Sequence, residues 1–190
     1  MADAPRSNAK RILTAITRVA RGRTDGLGLF GNTPQSFLAS LAPQVAFPLV
    51  GGVMMLAGGG GLRALTDLLA SLCLLLAPQV LSFELARMLK REAAWCRFAT
   101  AFNWSQWILP VLGLVLLMVA NRAIALGVSP AVARAALIGA LGCYGMWLHW
   151  FLARMALGLS AGRSALFVVC VNVGTLLIVV LPRLLVQEAQ

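Results

Sequence analysis

Residues 98–120 read FATAFNWSQWILPVLGLVLLMVA, a stretch of 23 residues without one charged side chain. As a helix rising 1.5 Å per residue it is about 35 Å long, enough to cross the ~30 Å hydrocarbon core of a bilayer. Four more long apolar runs flank it: Phe37 to Leu56, Leu65 to Phe83, Ala135 to Leu152 and Ala165 to Leu181. All are continuously apolar and lack the ~10-residue alternation of outer-membrane strands, so they read as helices rather than a barrel. Composition agrees: 60% of the 190 residues are hydrophobic, 12% are charged, and mean hydropathy is +0.86. Soluble domains run near ~45–50% apolar and ~25% charged, and a soluble fold of this size has too little interior to hide the excess. Disordered chains are poor in apolar residues, which excludes that class too. The sequence therefore predicts an all-α integral membrane protein. Five transmembrane helices (36–183) follow a cytoplasmic amphipathic interfacial helix within a basic segment (1–35), and a short external tail (184–190) closes the chain.

The net charge of +10 comes from 16 Lys and Arg against 6 Asp and Glu. In a soluble protein this excess would suggest nucleic acid; in a membrane protein it reports topology. Sorted by segment, Arg6, Lys10, Arg11, Arg18, Arg21, Arg23, Arg87, Lys90, Arg91, Arg97, Arg154 and Arg163 fall on one side, and Arg63, Arg122, Arg134 and Arg183 on the other. Twelve against four places the N-terminus in the cytoplasm and the C-terminus outside. Localisation in a membrane with a cytoplasmic face follows as the expectation, and nucleic acid drops out as a partner. Trp95, Trp104, Trp107, Trp147 and Trp150 fall in or near the cytoplasmic half, either as anchors of helix ends or as a binding surface on the inner leaflet.

Within the N-terminal segment, Ile12, Leu13, Ile16, Val19 and Ala20 recur at helical spacing opposite Lys10, Arg11, Arg18 and Arg21. Such a helix suits the surface of an anionic inner leaflet, with those four cations as the lipid contacts. Gly22 predicts its end. No long apolar core follows the charges before residue 37, so it is not a signal peptide. Asn32-Thr33-Pro34-Gln35 supplies an N-cap, a Pro in the first turn and a capping-box Gln for the first span.

Polar side chains in hydrocarbon are costly and face a partner helix or a cavity. Here they are Gln44, Gln79, Asn103, Gln106, His149 and Asn172, with Glu84 and Arg154 as a candidate ion pair at the cytoplasmic boundary. Most lie within about ten residues, or ~15 Å, of a cytoplasmic helix end, so they can meet in one layer. Two readings stay open: a cytoplasm-facing cavity in which His149 and Glu84 titrate or bind ligand, and interhelical bonding that fixes packing at ~0.6 kcal/mol per contact. The word Leu41-Ala42-Pro43-Gln44-Val45 recurs as Leu76-Ala77-Pro78-Gln79-Val80, 35 residues later. Each Pro frees a carbonyl one turn earlier, of Ala39 and of Leu74, and the Gln that follows can help satisfy it. In the fourth span Ala135, Gly139 and Cys143, and Ala136 and Ala140, form small-residue stripes for close packing inside the bundle or between two copies.

The four cysteines lack CxxC spacing, so neither a disulfide framework nor a structural zinc site is expected. The glycines at 58–61 lack the Lys-Ser/Thr ending of a phosphate loop and read as a flexible hairpin. With no nucleophile elbow, acidic metal cluster or haem-type His pair, the expectation is a protein that is not an enzyme and carries no cofactor.

Leu29-Phe30-Gly31-Asn32-Thr33-Pro34-Gln35-Ser36-Phe37, Phe102-Asn103-Trp104-Ser105-Gln106 and Trp150-Phe151-Leu152-Ala153-Arg154-Met155-Ala156-Leu157-Gly158-Leu159-Ser160 resemble words of a group of bacterial five-span membrane proteins. These are similar to the Yip family of Rab-GTPase-interacting membrane proteins over roughly residues 29–182. The resemblance implies a cytosolic N-terminus and a far-side C-terminus, and it carries over no catalytic residue. Rab traffic does not transfer to a bacterial cell, and the long cytosolic domain of the eukaryotic members is missing here. Two functions are weighed. One is an accessory or organising protein that binds the lipid bilayer, another membrane protein or a second copy of itself through its cytoplasmic face. The alternative is a small dimeric transporter or channel using the polar layer. A membrane enzyme built on His149 and Glu84 is a remote third.

Overall fold

A computed structural model of the chain describes residues 4–188, and over them the fold is entirely helical. Helix α1 (Ala4–Ala20) leads through a 3-10 segment, Thr24–Leu29, into α2 (Pro34–Ala57) and α3 (Gly61–Met88). Then follow α4 (Glu92–Ser105), α5 (Ile108–Ala125), α6 (Pro130–Ala156) and α7 (Ala161–Glu188). Five stretches are long and apolar enough to cross a membrane: α2, α3, α4 with α5, α6, and α7 over Ala161–Ile178. The five expected spans are all present. The third is broken at Gln106–Trp107, where a continuous helix was expected. Pro110 has no N–H for the Gln106 carbonyl and sits in the first turn of α5, where a proline costs no backbone hydrogen bond; Pro43, Pro48 and Pro78 are by contrast carried inside α2 and α3. The expected tail from residue 184 is, as far as Glu188, the last turn of α7.

Helix α4 is the hub: it packs against α1, α2, α3 and α6, while α3 also meets α7 and α6 meets α5 and α7. The core lies at the end that carries α1. Phe98, Leu152, Leu157, Phe167 and Val171 are almost fully buried there, with Ala15 and Val19 of α1. Away from that end little is buried, and α5 has no buried residue among its 18. Phe47, Val111, Met118, Ile138 and Leu176 stand more than half exposed. In water this surface would drive aggregation, whereas in a bilayer apolar side chains gain nothing by leaving lipid for protein.

Glycine sets the closest approaches. A Cβ at Gly52 would come within 2.7 Å of the Leu68 side chain, and one at Gly174 within 2.9 Å of that of Leu81, so both glycines let a leucine of α3 seat closely against α2 and α7. The small-residue stripe of α6 divides instead. Ala136 and Ala140 look into a groove shared with α5, whereas Gly139, Gly142 and Cys143 face away from the bundle.

Candidate functional site: a closed polar knot under a docked N-terminal helix

Asn103 lies in the last turn of α4, fully buried. Its Nδ2 donates to Ser40 Oγ of α2 at 3.1 Å, and its Oδ1 accepts from Gln79 Nε2 of α3 at 2.7 Å. Its backbone carbonyl accepts from Gln44 Nε2 of α2 at 2.7 Å. That carbonyl is available because the break turns the Trp107 N–H to the Trp104 carbonyl, at 3.4 Å, away from the ordinary i to i−4 partner. The two glutamines of the repeated Leu-Ala-Pro-Gln-Val word thus converge on one residue, one at its backbone and one at its side chain. The expectation that each Gln repairs the ladder of its own kinked helix is corrected: both reach across to α4. Ser82 Oγ donates to the Gln79 carbonyl at 3.0 Å and accepts from Trp95 Nε1 at 3.0 Å, which extends the knot along α3.

His149 and Asn172 form a second, separate pair between α6 and α7. Asn172 Nδ2 donates to the Val168 carbonyl at 2.8 Å and lies 3.1 Å from His149 Nδ1. The Val168 carbonyl can only accept, which fixes the amide nitrogen toward the ring. Nδ1 is then the acceptor and the proton of the neutral ring sits on Nε2. The rings of Phe98, Phe102 and Phe167 surround His149 at centroid distances of 6.0, 4.7 and 6.4 Å. The single layer expected from spacing is therefore two clusters, with the α4 phenylalanines packed against the imidazole of the second. Gln106 joins neither; it lines an open apolar groove of ≈330 Å3 at the break, with Gln44, Phe47 and Trp107. Ser105 Oγ and Trp107 Nε1, beside the break, are buried without a hydrogen-bond partner.

The expected Glu84–Arg154 ion pair does not form. Glu84 Oε2 takes Arg87 one turn along α3 at 2.6 Å, and the Arg154 guanidinium lies over the Trp150 ring, 5.3 Å from its centroid. Helix α4 packs on both α3 and α6 and separates the two residues. His149 and Glu84, the couple a membrane enzyme would have needed, accordingly have different partners.

The N-terminal helix is docked on the bundle, with Ala15 and Val19 at 0% exposure. Its apolar face meets the 3-10 segment and α4, where the sequence pattern had suggested lipid. Tyr144 of α6 donates its hydroxyl to the Ala20 carbonyl at 3.0 Å. Gly22, at φ +71°, ends the helix as expected and packs under Trp147, which a Cβ would meet at 3.3 Å. Of the four proposed lipid contacts, Arg18 pairs with Asp25 at the surface at 3.3 Å, and Arg23 reaches the same carboxylate at 2.8 Å. The hydrogen bonds from Arg23, more than its charge, hold the Asp25 carboxyl below the usual carboxylate range. Lys10, Arg11 and Arg21 are exposed and have no ion pair among the described residues.

Thr33, rather than Asn32, caps α2: its Oγ1 accepts from the Ser36 N–H at 3.2 Å, with Pro34 following as the first helical residue. Asn32 instead clamps the first turn of α4, donating to the Ala93 carbonyl and accepting from the Arg97 N–H, both at 2.9 Å. The tryptophans act largely as rivets. Trp95 packs between Phe37 and Phe83 at 4.9 and 5.0 Å, Trp150 Nε1 donates to the Ala161 carbonyl at 3.0 Å, and Trp147 stacks on Phe151 at 5.6 Å. No group of three or more metal-ligating side chains occurs among the described residues. Comparison with protein-family models, with curated proteins and with solved structures gives no match.

Proposed function

We propose that this chain is a non-enzymatic, multi-pass protein of a bacterial inner membrane, N-terminus inside and C-terminus outside. It acts as an organising or accessory protein that engages anionic lipid or a neighbouring membrane protein through the face carrying α1. The observation that carries the reading is the division of labour between polar groups. Ser40, Gln44, Gln79, Ser82 and Asn103 spend their hydrogen bonds on one another and on the backbone. Lys10, Arg11 and Arg21, on the docked helix, present their charge outward. A conducting layer needs polar groups turned to water; here the polar groups tie α2, α3 and α4 together. The docked α1 is then a fixed platform, and the remaining positive charge of the N-terminal segment lies where an anionic leaflet would meet it. The resemblance of its sequence words to the Yip family would imply the same topology and adds no chemistry to it.

Deleting residues 1–28 tests the reading. The truncated chain is expected to insert normally and to lose most of its cross-links to neighbours and its preference for anionic vesicles. An unchanged neighbour and lipid profile would overturn it.

A further inference from the structure

Between α1, the first turn of α2 and α4 lies a cavity of ≈390 Å3. Arg11 stands on one wall, Gln35 and Ser36 of the α2 first turn on another, and Phe30 and Trp104 form an apolar floor. Among the described residues no Asp or Glu lines it. We propose that this cavity is a headgroup site for one anionic phospholipid, with its phosphate between the Arg11 guanidinium and the start of α2.

Three observations converge there. Charge is the first: Asp25, the acidic residue that follows α1, is taken by Arg23 and Arg18, and Arg11 has no ion pair among the described residues. The second is the donor set of α2. Pro34 has no N–H, and Thr33 takes the N–H groups of Ser36 and Phe37 through its hydroxyl and its carbonyl. The Gln35 N–H of the first turn is left without a helix partner, at the positive end of a 24-residue helix. Depth is the third. The cavity lies where the first candidate span begins, level with the headgroup region if α2 crosses the bilayer, and its floor is aromatic where acyl chains would start. A soluble anion would use the cation and the N–H but leave that apolar floor uncovered; a phospholipid uses both. This inference rests on the membrane reading above and sharpens it from a charged face to one pocket.

The test uses the full-length chain in neutral detergent, titrated with dioleoylphosphatidylglycerol or dioleoylphosphatidylcholine, with bound lipid counted by native mass spectrometry. One phosphatidylglycerol is expected to be retained in preference to phosphatidylcholine. Arg11→Gln should weaken that retention about tenfold, the size of one charge-assisted hydrogen bond. Lys10→Gln, one residue away on the solvent side, should change it by less than about twofold. Gln35→Glu guards against a folding artefact. An acidic residue in the first turn stabilises α2 through its dipole, yet it should repel the headgroup, so thermal stability and lipid retention are expected to move in opposite directions. Equal losses for Lys10→Gln and Arg11→Gln would mean a diffuse basic surface and would overturn the pocket while leaving the proposed function standing. Displacement of the lipid by soluble glycerol 3-phosphate at equal concentration would overturn the phospholipid as occupant in favour of a free phosphate ester.

Discussion

Asn103 shows how much one buried amide can hold. It meets Ser40, Gln44 and Gln79 from two neighbouring helices, and removing its side chain strands the Gln79 amide and takes a donor from the Ser40 hydroxyl, which keeps only its bond to the Phe37 carbonyl. Asn103→Ala should therefore destabilise the folded chain by about 1–3 kcal/mol, beyond the ~0.6 kcal/mol typical of a single bond between membrane helices. Ser105, two residues on, is the opposite case. Its hydroxyl is buried without a partner, so Ser105→Ala removes a cost and should raise stability by up to ~1 kcal/mol. Thermal unfolding in detergent reads both, and the two variants are expected to shift the midpoint in opposite directions. The sequence named the polar residues because such side chains stand out against an apolar background. It could not sort them into two clusters, since that depends on which faces of α4 meet α2 and α6. Distance along a helix predicts depth in the bundle but not azimuth, and for the same reason Glu84 and Arg154 were paired wrongly.

Each helix was readable in proportion to how local its cause is. The five spans, the stop at Gly22 and the Pro-initiated start of α2 follow from hydrophobic run length, a left-handed glycine and a fixed φ, all written within a few residues. The break between α4 and α5 also had a local sign, Pro110 after Asn103, Ser105 and Gln106, but the apolar run on both sides masked it. The docking of α1 had none. An amphipathic face looks the same whether it meets lipid or protein, and the decisive contacts, Tyr144 to Ala20 and Gly22 under Trp147, span more than a hundred residues. The Asp25 clamp gives this docking a pH dependence. Because the folded-state carboxyl is depressed, its contribution is fully present above the ordinary carboxylate pKa and is lost as pH falls through the depressed value. Hydrogen exchange in α1 and the Thr24–Leu29 segment should therefore quicken at strongly acidic pH and hold steady across neutrality. Asp25→Asn should show the quicker exchange already at pH 7 and remove the pH dependence.

Across the whole molecule, one end is packed and the other is largely exposed, with the core, the polar knot and most of the tryptophans gathered at the end that bears α1. The apolar runs and the cations of the sequence did not announce that asymmetry; packing explains it, because α1 and the Thr24–Leu29 segment close over a protein interior at one end only, and in a bilayer the remaining apolar side chains gain nothing by leaving lipid for protein. The account stands or falls on whether the knot around Asn103 is dry. Ser40 is fully buried within it and differs from cysteine by one atom, so it makes a mild reporter. In a chain whose four native cysteines are replaced, Ser40→Cys should resist a small cationic thiosulfonate added to either side of a sealed membrane, and should react only after denaturation. Modification from the water phase at a rate near that of an exposed Lys10→Cys control would show a hydrated passage through the polar residues and contradict the closed-knot account.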